Sequence, residues 1–327
     1  MLRFATVGTN FITDNVLEAC RDLKDFKLYA VHSRSEERAK EYAEKWGAVT
    51  YFTDLDSLAS CPEIDAVYIA TPNFTHKDYA LKMLDAGKHV IVEKSGTANS
   101  REWSELEAAA KAKGLIVMEA LRFLHNPNFY VIKDNLKKLG IIRRAAFSYA
   151  KYSRRYDNFK NGIIENAFVP EMANGALMDL GVYVTNFMIG LFGPPDSVNA
   201  SCIKLYNGLD AVGAVNAVYR DFIVTMSYGK IYTNSNNCEI QGEDAYMIID
   251  DMTVPTRLTI CYRDGTTEVI DMEKYSFKDE LRLEMKDFMD MIEGKTSPDM
   301  FHVFTWQSLA VMDEIRKQLD MVFPKND

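Results

Sequence analysis

The residue in this 327-residue chain whose type and place most suggest chemistry is Lys94, beside Glu93 and directly after the apolar run Val90-Ile91-Val92. The run His89–Val92 is short, largely β-branched and almost free of alternation, which reads as a parallel strand covered on both faces. Ligands of open parallel sheets lie just beyond the carboxyl ends of such strands. Lys94 is therefore expected at a ligand, although a strand-terminal lysine that only reaches solvent is the plain alternative. A second station is the turn Gly8-Thr9-Asn10-Phe11-Ile12-Thr13. It stands between a strand and a helix where a G-x-G-x-x-G phosphate fingerprint belongs, but keeps only the first glycine. Asn10 in place of the second glycine tolerates positive φ. Thr13 in place of the third either loosens helix–sheet contact or caps the helix. Asp14 suits the helix dipole but must turn away from a pyrophosphate.

The end of the second strand carries His32-Ser33-Arg34, where an NAD site usually has Asp or Glu for the ribose 2′-hydroxyl. A serine hydroxyl and a guanidinium suit a 2′-phosphate, with Arg38 as a further cation. The sequence therefore favours NADP(H), with NAD(H) possible. Arg34 and Arg38 equally suit pairing with Glu37 and Glu41 on a solvated helix face.

These stations need a scaffold, and the first third of the chain supplies its signals. Strands are expected at Leu2–Val7, Phe26–His32, Val49–Phe52, Asp65–Ala70, His89–Val92 and Leu115–Glu119. Helices fall between them: one carries Val16, Ala19, Cys20 and Leu23 on one face, one is capped by Ser35 and ended by Gly47, one spans Thr75–Ala86, and one opens at Ser100. Six strands alternating with helices imply a doubly wound parallel sheet over residues 1–121, which the resemblance given below makes a dinucleotide-binding Rossmann domain. Residues 122–327 read as a second α/β domain. A helix through Val131–Leu139 precedes a strand at Arg143–Tyr152, a polar loop with Arg154, Arg155 and Tyr156, and a helical segment at Ala176–Phe192. From Val198 to Ile270 strands follow one another with hairpin signals such as Asn207-Gly208 and Asp264-Gly265, giving a mostly antiparallel sheet, which the resemblance given below makes the large open sheet of an α/β domain. Helices at Lys278–Ile292 and Val303–Leu319 finish the chain.

Composition excludes several function classes. The 38 Lys and Arg against 47 Asp and Glu leave a net charge of −9, which repels nucleic acid and anionic membrane. Five cysteines without C-x-x-C spacing fit reduced thiols and a cytoplasmic location. The chain enters a strand at once and has no apolar stretch read as a membrane span. No His/Cys/carboxylate cluster has metal spacing, so no metal is expected.

Taken together, Gly8 through Thr13, the run Ala70-Thr71-Pro72-Asn73-Phe74-Thr75-His76, the pair Glu93-Lys94 and the segment Asn174–Tyr183 resemble the glucose–fructose oxidoreductase/inositol dehydrogenase/rhizopine catabolism family. Tyr183, where many members carry histidine, resembles the branch of dimeric dihydrodiol dehydrogenase and NADP-dependent xylose dehydrogenase. The resemblance implies an NAD(P)-dependent dehydrogenase or reductase, moving a hydride between nicotinamide and a sugar, deoxyketosugar or vicinal diol. It implies Lys94, Tyr183 and Asp179 as catalytic residues. Gly8, Thr9, Asn10, Phe11, Ile12, Ser33, Arg34, Arg38, Thr71, Pro72, Asn73, His76, Glu93, Lys94 and Arg122 would line the cofactor. Tyrosine ionises near pH 10 unperturbed, so a base at Tyr183 needs an adjacent ammonium. Asp179, four residues earlier, shares its helical face if the helix is regular. The strand-rich region would join subunits into a homodimer or larger assembly. Ser95 departs from the family's Glu-Lys-Pro and leaves a cis bond there in doubt. A nicotinamide-sensing regulator without catalysis and a glycoside-cleaving relative that retains its nicotinamide are the alternatives.

Overall fold

The computed structural model describes residues 1–327 and divides into two compact units. The first comprises Met1–His125 and Ser276–Thr305, the second Asn126–Tyr275 and Trp306–Asp327. The expected boundary after Leu121 thus falls four residues before the first unit's His125, and it does not anticipate the return of Ser276–Thr305.

In the first unit, strands β1 (Leu2–Val7), β2 (Phe26–His32), β3 (Thr50–Phe52), β4 (Ala66–Ile69), β5 (His89–Glu93) and β6 (Val117–Ala120) form one parallel sheet in the order β3-β2-β1-β4-β5-β6. Chain direction reverses its march between β1 and β4, the switch point where ligands of such sheets bind. Val90, Ile91 and Val92 are wholly buried, as their unbroken apolar run requires. Helices α1 (Phe11–Cys20), α2 (Glu36–Trp46), α3 (Leu55–Ser60), α4 (His76–Asp85) and α5 (Ser100–Lys113) connect the strands. Ser35 caps α2 as expected, and Gly47 ends it in the left-handed conformation. The cap of α5 is Asn99 rather than Ser100, because the Asn99 side chain accepts from the Glu102 amide.

The amphipathic helix at Phe277–Ile292 completes this unit. Leu281, Met285, Phe288 and Met289 lie in one apolar cluster with Phe4, Val16, Ala19, Tyr68 and Met118. Periodicity identifies the helix but not the partner that covers its apolar face.

The second unit holds an eight-stranded sheet. Its strands are β7 (Ile142–Ala150), β8 (Ser197–Lys204), β9 (Asp210–Val218), β10 (Ile223–Gly229), β11 (Cys238–Gly242), β12 (Ala245–Ile249), β13 (Arg257–Tyr262) and β14 (Thr267–Asp271). They pair antiparallel except β7 with β10, which run parallel. Register sorts the faces cleanly. One row across the strands, Val198, Ala217, Val224, Ala145, Ile240, Met247 and Ile260, is buried throughout. The adjacent row points to the other face, since side chains alternate along a strand.

Helix α6 (Pro127–Asn135) precedes β7. The polar loop after β7 contains a short helix, α7 (Arg155–Lys160), over which Tyr156 and Phe159 stack. The segment Leu177–Gly181 forms a π-helical turn that leads into α8 (Val182–Phe192). Pro170–Phe192 has the length and apolar character of a membrane span, contrary to expectation, but 83% of its most apolar stretch is buried within the protein as a core helix is.

Candidate active site

The β1–α1 turn is built around Gly8, whose φ of +111° favours glycine. A Cβ there would lie 2.3 Å from the Ala70 carbonyl oxygen, so the turn and the end of β4 meet only through glycine. Asn10 does not use the positive φ that asparagine tolerates. At φ −110° it caps α1, its side-chain oxygen accepting from the Ile12 and Thr13 amides while its Nδ2 donates to Ala70 at 2.7 Å. Both ends of the side chain are better satisfied by capping than by a left-handed turn. Thr13 is consequently not the cap and lies fully buried in the helix. The Thr9, Asn10 and Phe11 amides have no partner within the chain. Three consecutive N–H groups at a helix start form a concavity suited to a pyrophosphate. Asp14 turns away from it, to Lys45 at 2.8 Å and the Trp46 indole at 2.9 Å.

At the end of β2 the two arginines part company. Arg38 reaches back to the glycine turn, its Nε donating to Thr9 Oγ1 at 2.6 Å and its Nη2 to the Thr9 carbonyl. Arg34 is exposed and makes no hydrogen bond or ion pair, and neither arginine pairs with Glu37 or Glu41. Ser33 Oγ accepts from the Ser35 amide at 3.4 Å.

After β4, Pro72 leads through the turn Asn73–Thr75 into α4. Thr71 Oγ1 bonds to Thr75 Oγ1 at 2.8 Å. His76 is fully buried, with Nδ1 2.9 Å from the Ser95 carbonyl oxygen and Nε2 2.8 Å from that of Thr71. The imidazole thus straps the segment after β4 to the one after β5, and burial holds its pKa below the usual histidine value. The sequence offers this histidine as a first-turn residue or, by the family resemblance, a cofactor neighbour; the strap rests on partners 5 and 19 residues away.

Glu93 and Lys94 stand at the end of β5, and the Lys94–Ser95 peptide is cis although Ser95 replaces proline. The Glu93 carboxylate accepts from the Tyr68 hydroxyl at 2.6 Å and the Lys94 amide at 3.3 Å. Two further carboxyls belong to this buried group. Glu119 accepts from the Gly96 amide at 2.8 Å, and Glu284 has neither carboxyl oxygen hydrogen-bonded. Burial raises all three pKa values, that of Glu119 to about 7. Glu119 and Glu284 escape a motif search because no fixed spacing joins them to Lys94. Arg122, at the end of this unit's strands, ion-pairs with Glu280 and lies over the Phe277 ring.

In the second unit, Asp179 lies in the π-helical turn and Tyr183 in the first turn of α8. Their four-residue spacing is therefore read through a π-turn, a feature frequent at functional sites. The ring of Tyr183 packs edge-on against Tyr149 at 5.1 Å. Asp179 is 40% exposed and pairs with the buried Lys230 at 3.2 Å. Asp210 accepts from the Ala176 and Leu177 amides at 2.9 and 2.7 Å, fixing the start of the segment. No group of three or more His, Cys, Asp or Glu side chains is arranged to hold a metal ion.

Comparison with known proteins gives this arrangement a context. Residues 2–121 match a family described as oxidoreductase family, NAD-binding Rossmann fold, and residues 137–248 match the GFO/IDH/MocA C-terminal domain. A scyllo-inositol 2-dehydrogenase (NADP(+)) of Bacillus subtilis is 42% identical over 99% of both chains. The chain belongs to the GFO/IDH/MocA oxidoreductase family. A trans-1,2-dihydrobenzene-1,2-diol dehydrogenase of Bos taurus is 25% identical over 99% of both chains. The 3-ketoreductase KijD10 of Actinomadura kijaniata, solved with NADP and TDP-benzene, has the same fold: TM-score 0.86 and 97% coverage of each chain at 21% identity. GFO/IDH/MocA membership makes this protein an NAD(P)-dependent oxidoreductase, and the parallel sheet with its separate, mostly antiparallel partner is the architecture of that family.

Proposed function

We propose that this protein oxidises a ring polyol, or reduces the corresponding ketone, with NADP(H) as its cofactor. The observation that carries the cofactor reading is the pairing of three unpartnered amides at Thr9–Phe11 with an unpaired Arg34 at the end of β2. The amides suit a pyrophosphate and the guanidinium a 2′-phosphate. The Gly8 approach to Ala70 supports the same use, because it keeps the turn tight beneath the phosphates. Thr71, Pro72 and Asn73 would border the nicotinamide ribose, held in place by the His76 strap. Glu93 and Arg122 would support that edge from within the unit. Bound NADP supplies the hydride acceptor or donor. The chain's task is the proton: Lys94 and Tyr183 share its removal from the carbinol, or its delivery to the ketone, and Asp179 orients a substrate hydroxyl.

The substrate class follows from the relative with 42% identity, named for scyllo-inositol. The test is a screen of inositols, aldoses and vicinal diols with NADP+ and NAD+, read as NAD(P)H absorbance. NADP+ reduction on a ring polyol is the expected result. Failure of every polyol and diol would overturn the substrate reading. Steady release of reduced cofactor separates this enzyme from a sensing regulator and from a glycoside-cleaving relative that retains its nicotinamide.

The unit carrying Tyr183 also supports self-association. The row Asn199, Asn216, Thr225, Ala146, Glu239, Ile248 and Thr259 runs across the unburied sheet face, and its only charged member, Glu239, accepts from Gln241. A central row so poor in charge suits a second copy of the chain, in a homodimer or a larger assembly.

A further inference from the structure

Lys230 follows directly on β10 and is 1% exposed. Its ammonium has three partners: the Asp179 carboxylate at 3.2 Å, the Ala167 carbonyl oxygen at 2.9 Å and the face of the Phe168 ring at 4.8 Å. Its backbone is committed as well, donating to the Ala211 carbonyl at 2.9 Å and accepting from the Ser153 amide at 2.8 Å. Burying an ammonium is costly unless its partners offset the lost hydration. The partner carboxylate is not buried with it. Asp179 keeps 40% of its side chain exposed while the lysine meets it from the protein side. The carboxylate is thus held from the protein side.

A second buried charge reinforces the arrangement. Asp210, 1% exposed, holds the Ala176 and Leu177 amides, and a Cβ at Gly175 would lie 2.1 Å from its Oδ1. Burial raises the Asp210 pKa to about 6, and the Lys230 charge opposes that rise. Lys230 thus pairs with Asp179, and its charge also favours the ionised form of Asp210, which from β9 anchors the start of the segment carrying Asp179.

We propose that Lys230 is a positioning residue for Asp179, fixing its carboxylate for a substrate hydroxyl and holding the Ala167–Phe168 segment beside it. The inference rests on the reading of Asp179 as a substrate-orienting group. Neither residue type nor spacing singles out Lys230, because the role arises from partners 51 and 63 residues away in sequence.

The test compares Lys230→Met and Lys230→Gln, alone and combined with Asp179→Asn, on the polyol turned over fastest with NADP+. Glutamine can still donate to the Ala167 carbonyl while lacking the charge, so it separates loop anchoring from the action on Asp179 and is the variant to use if Lys230→Met does not fold. Expected is a loss of ~10- to 100-fold in kcat/KM for the polyol, the scale of one charge-assisted hydrogen bond. The Kd for NADPH stays unchanged, and no further loss appears when the Lys230 variant is added to Asp179→Asn. Parental activity in Lys230→Gln, or an undiminished loss in the Asp179→Asn background, would overturn the proposal. If Asp179→Asn itself turns over like the parent, the reading of Asp179 fails, a result distinguishable from failure at Lys230.

Discussion

Replacing Arg34 by alanine should convert an NADP(H)-selective site into an indifferent one. Arg34 is exposed and has no partner in the chain, so its loss removes nothing that holds the fold. A charge-assisted contact to a 2′-phosphate is worth roughly 1.5–3 kcal/mol. Exposure to water and salt puts Arg34 at the low end, about 1.5 kcal/mol, or roughly tenfold in affinity. Arg38 provides the contrast, because its guanidinium holds Thr9 through Oγ1 and the carbonyl. Arg38→Ala loosens the glycine turn that both nucleotides share. Fluorescence titration of NADPH and NADH against the parent and both variants reads the difference. Arg34→Ala should weaken NADPH about tenfold and leave NADH unchanged, with the NADPH effect shrinking at high salt. Arg38→Ala should weaken both. Equal weakening of the two nucleotides by Arg34→Ala, or a parent that prefers NADH, would refute the assignment and leave Arg34 on a solvated helix face.

Lys94→Ala should lower turnover by at least ~100-fold with the fold and NADPH binding intact, as expected for a lost proton-handling group; near-parental turnover removes Lys94 from the mechanism. Glu119→Gln should flatten the dependence of stability on pH. The folded Glu119 pKa of about 7 lies above the ordinary value of 4.5, so its contribution is intact below pH 4.5 and is lost as pH rises through 7. The parent should therefore lose up to about 3 kcal/mol across that window. Thermal melts of parent and variant between pH 4.5 and 8 check this, and identical slopes would exclude Glu119 as the titrating group. Light scattering at micromolar concentration should return at least twice the chain mass of 37.2 kDa, and a monomer mass would contradict the sheet-face association.

Local patterns carried much of the fold. The strand runs around Val90 and Val67 and the caps at Ser35 and Gly47 are legible because each signal lies within a few residues of the element it specifies. Lys94 stood out for the same reason, as a cation breaking an apolar run. What sequence reading missed is long-range. Asn10 offers a local reading only its tolerance of positive φ, whereas the Ala70 carbonyl, sixty residues away, engages its side chain. The His76 strap, the Glu119 and Glu284 carboxyls and the Lys230–Asp179 pair each depend on partners brought near by the sheet. The covering of the first unit by Phe277–Ile292 belongs to the same class, since an amphipathic helix declares a buried face without naming what buries it.

That covering helix also sets the order of events during synthesis. Leu281, Met285, Phe288, Met289 and Met291 close a core whose other buried members, from Phe4 to Ala120, are made far earlier. About 150 residues separate His125 from Ser276. At ribosomal speeds of roughly 5–20 residues per second, the delay is on the order of 10 to 30 seconds. Throughout it, the nascent parallel sheet and α1 carry an unsealed apolar wall, a surface that invites chaperones. A fragment ending at His125 should keep that wall permanently, and would be recovered from cells as aggregate where the full chain is not.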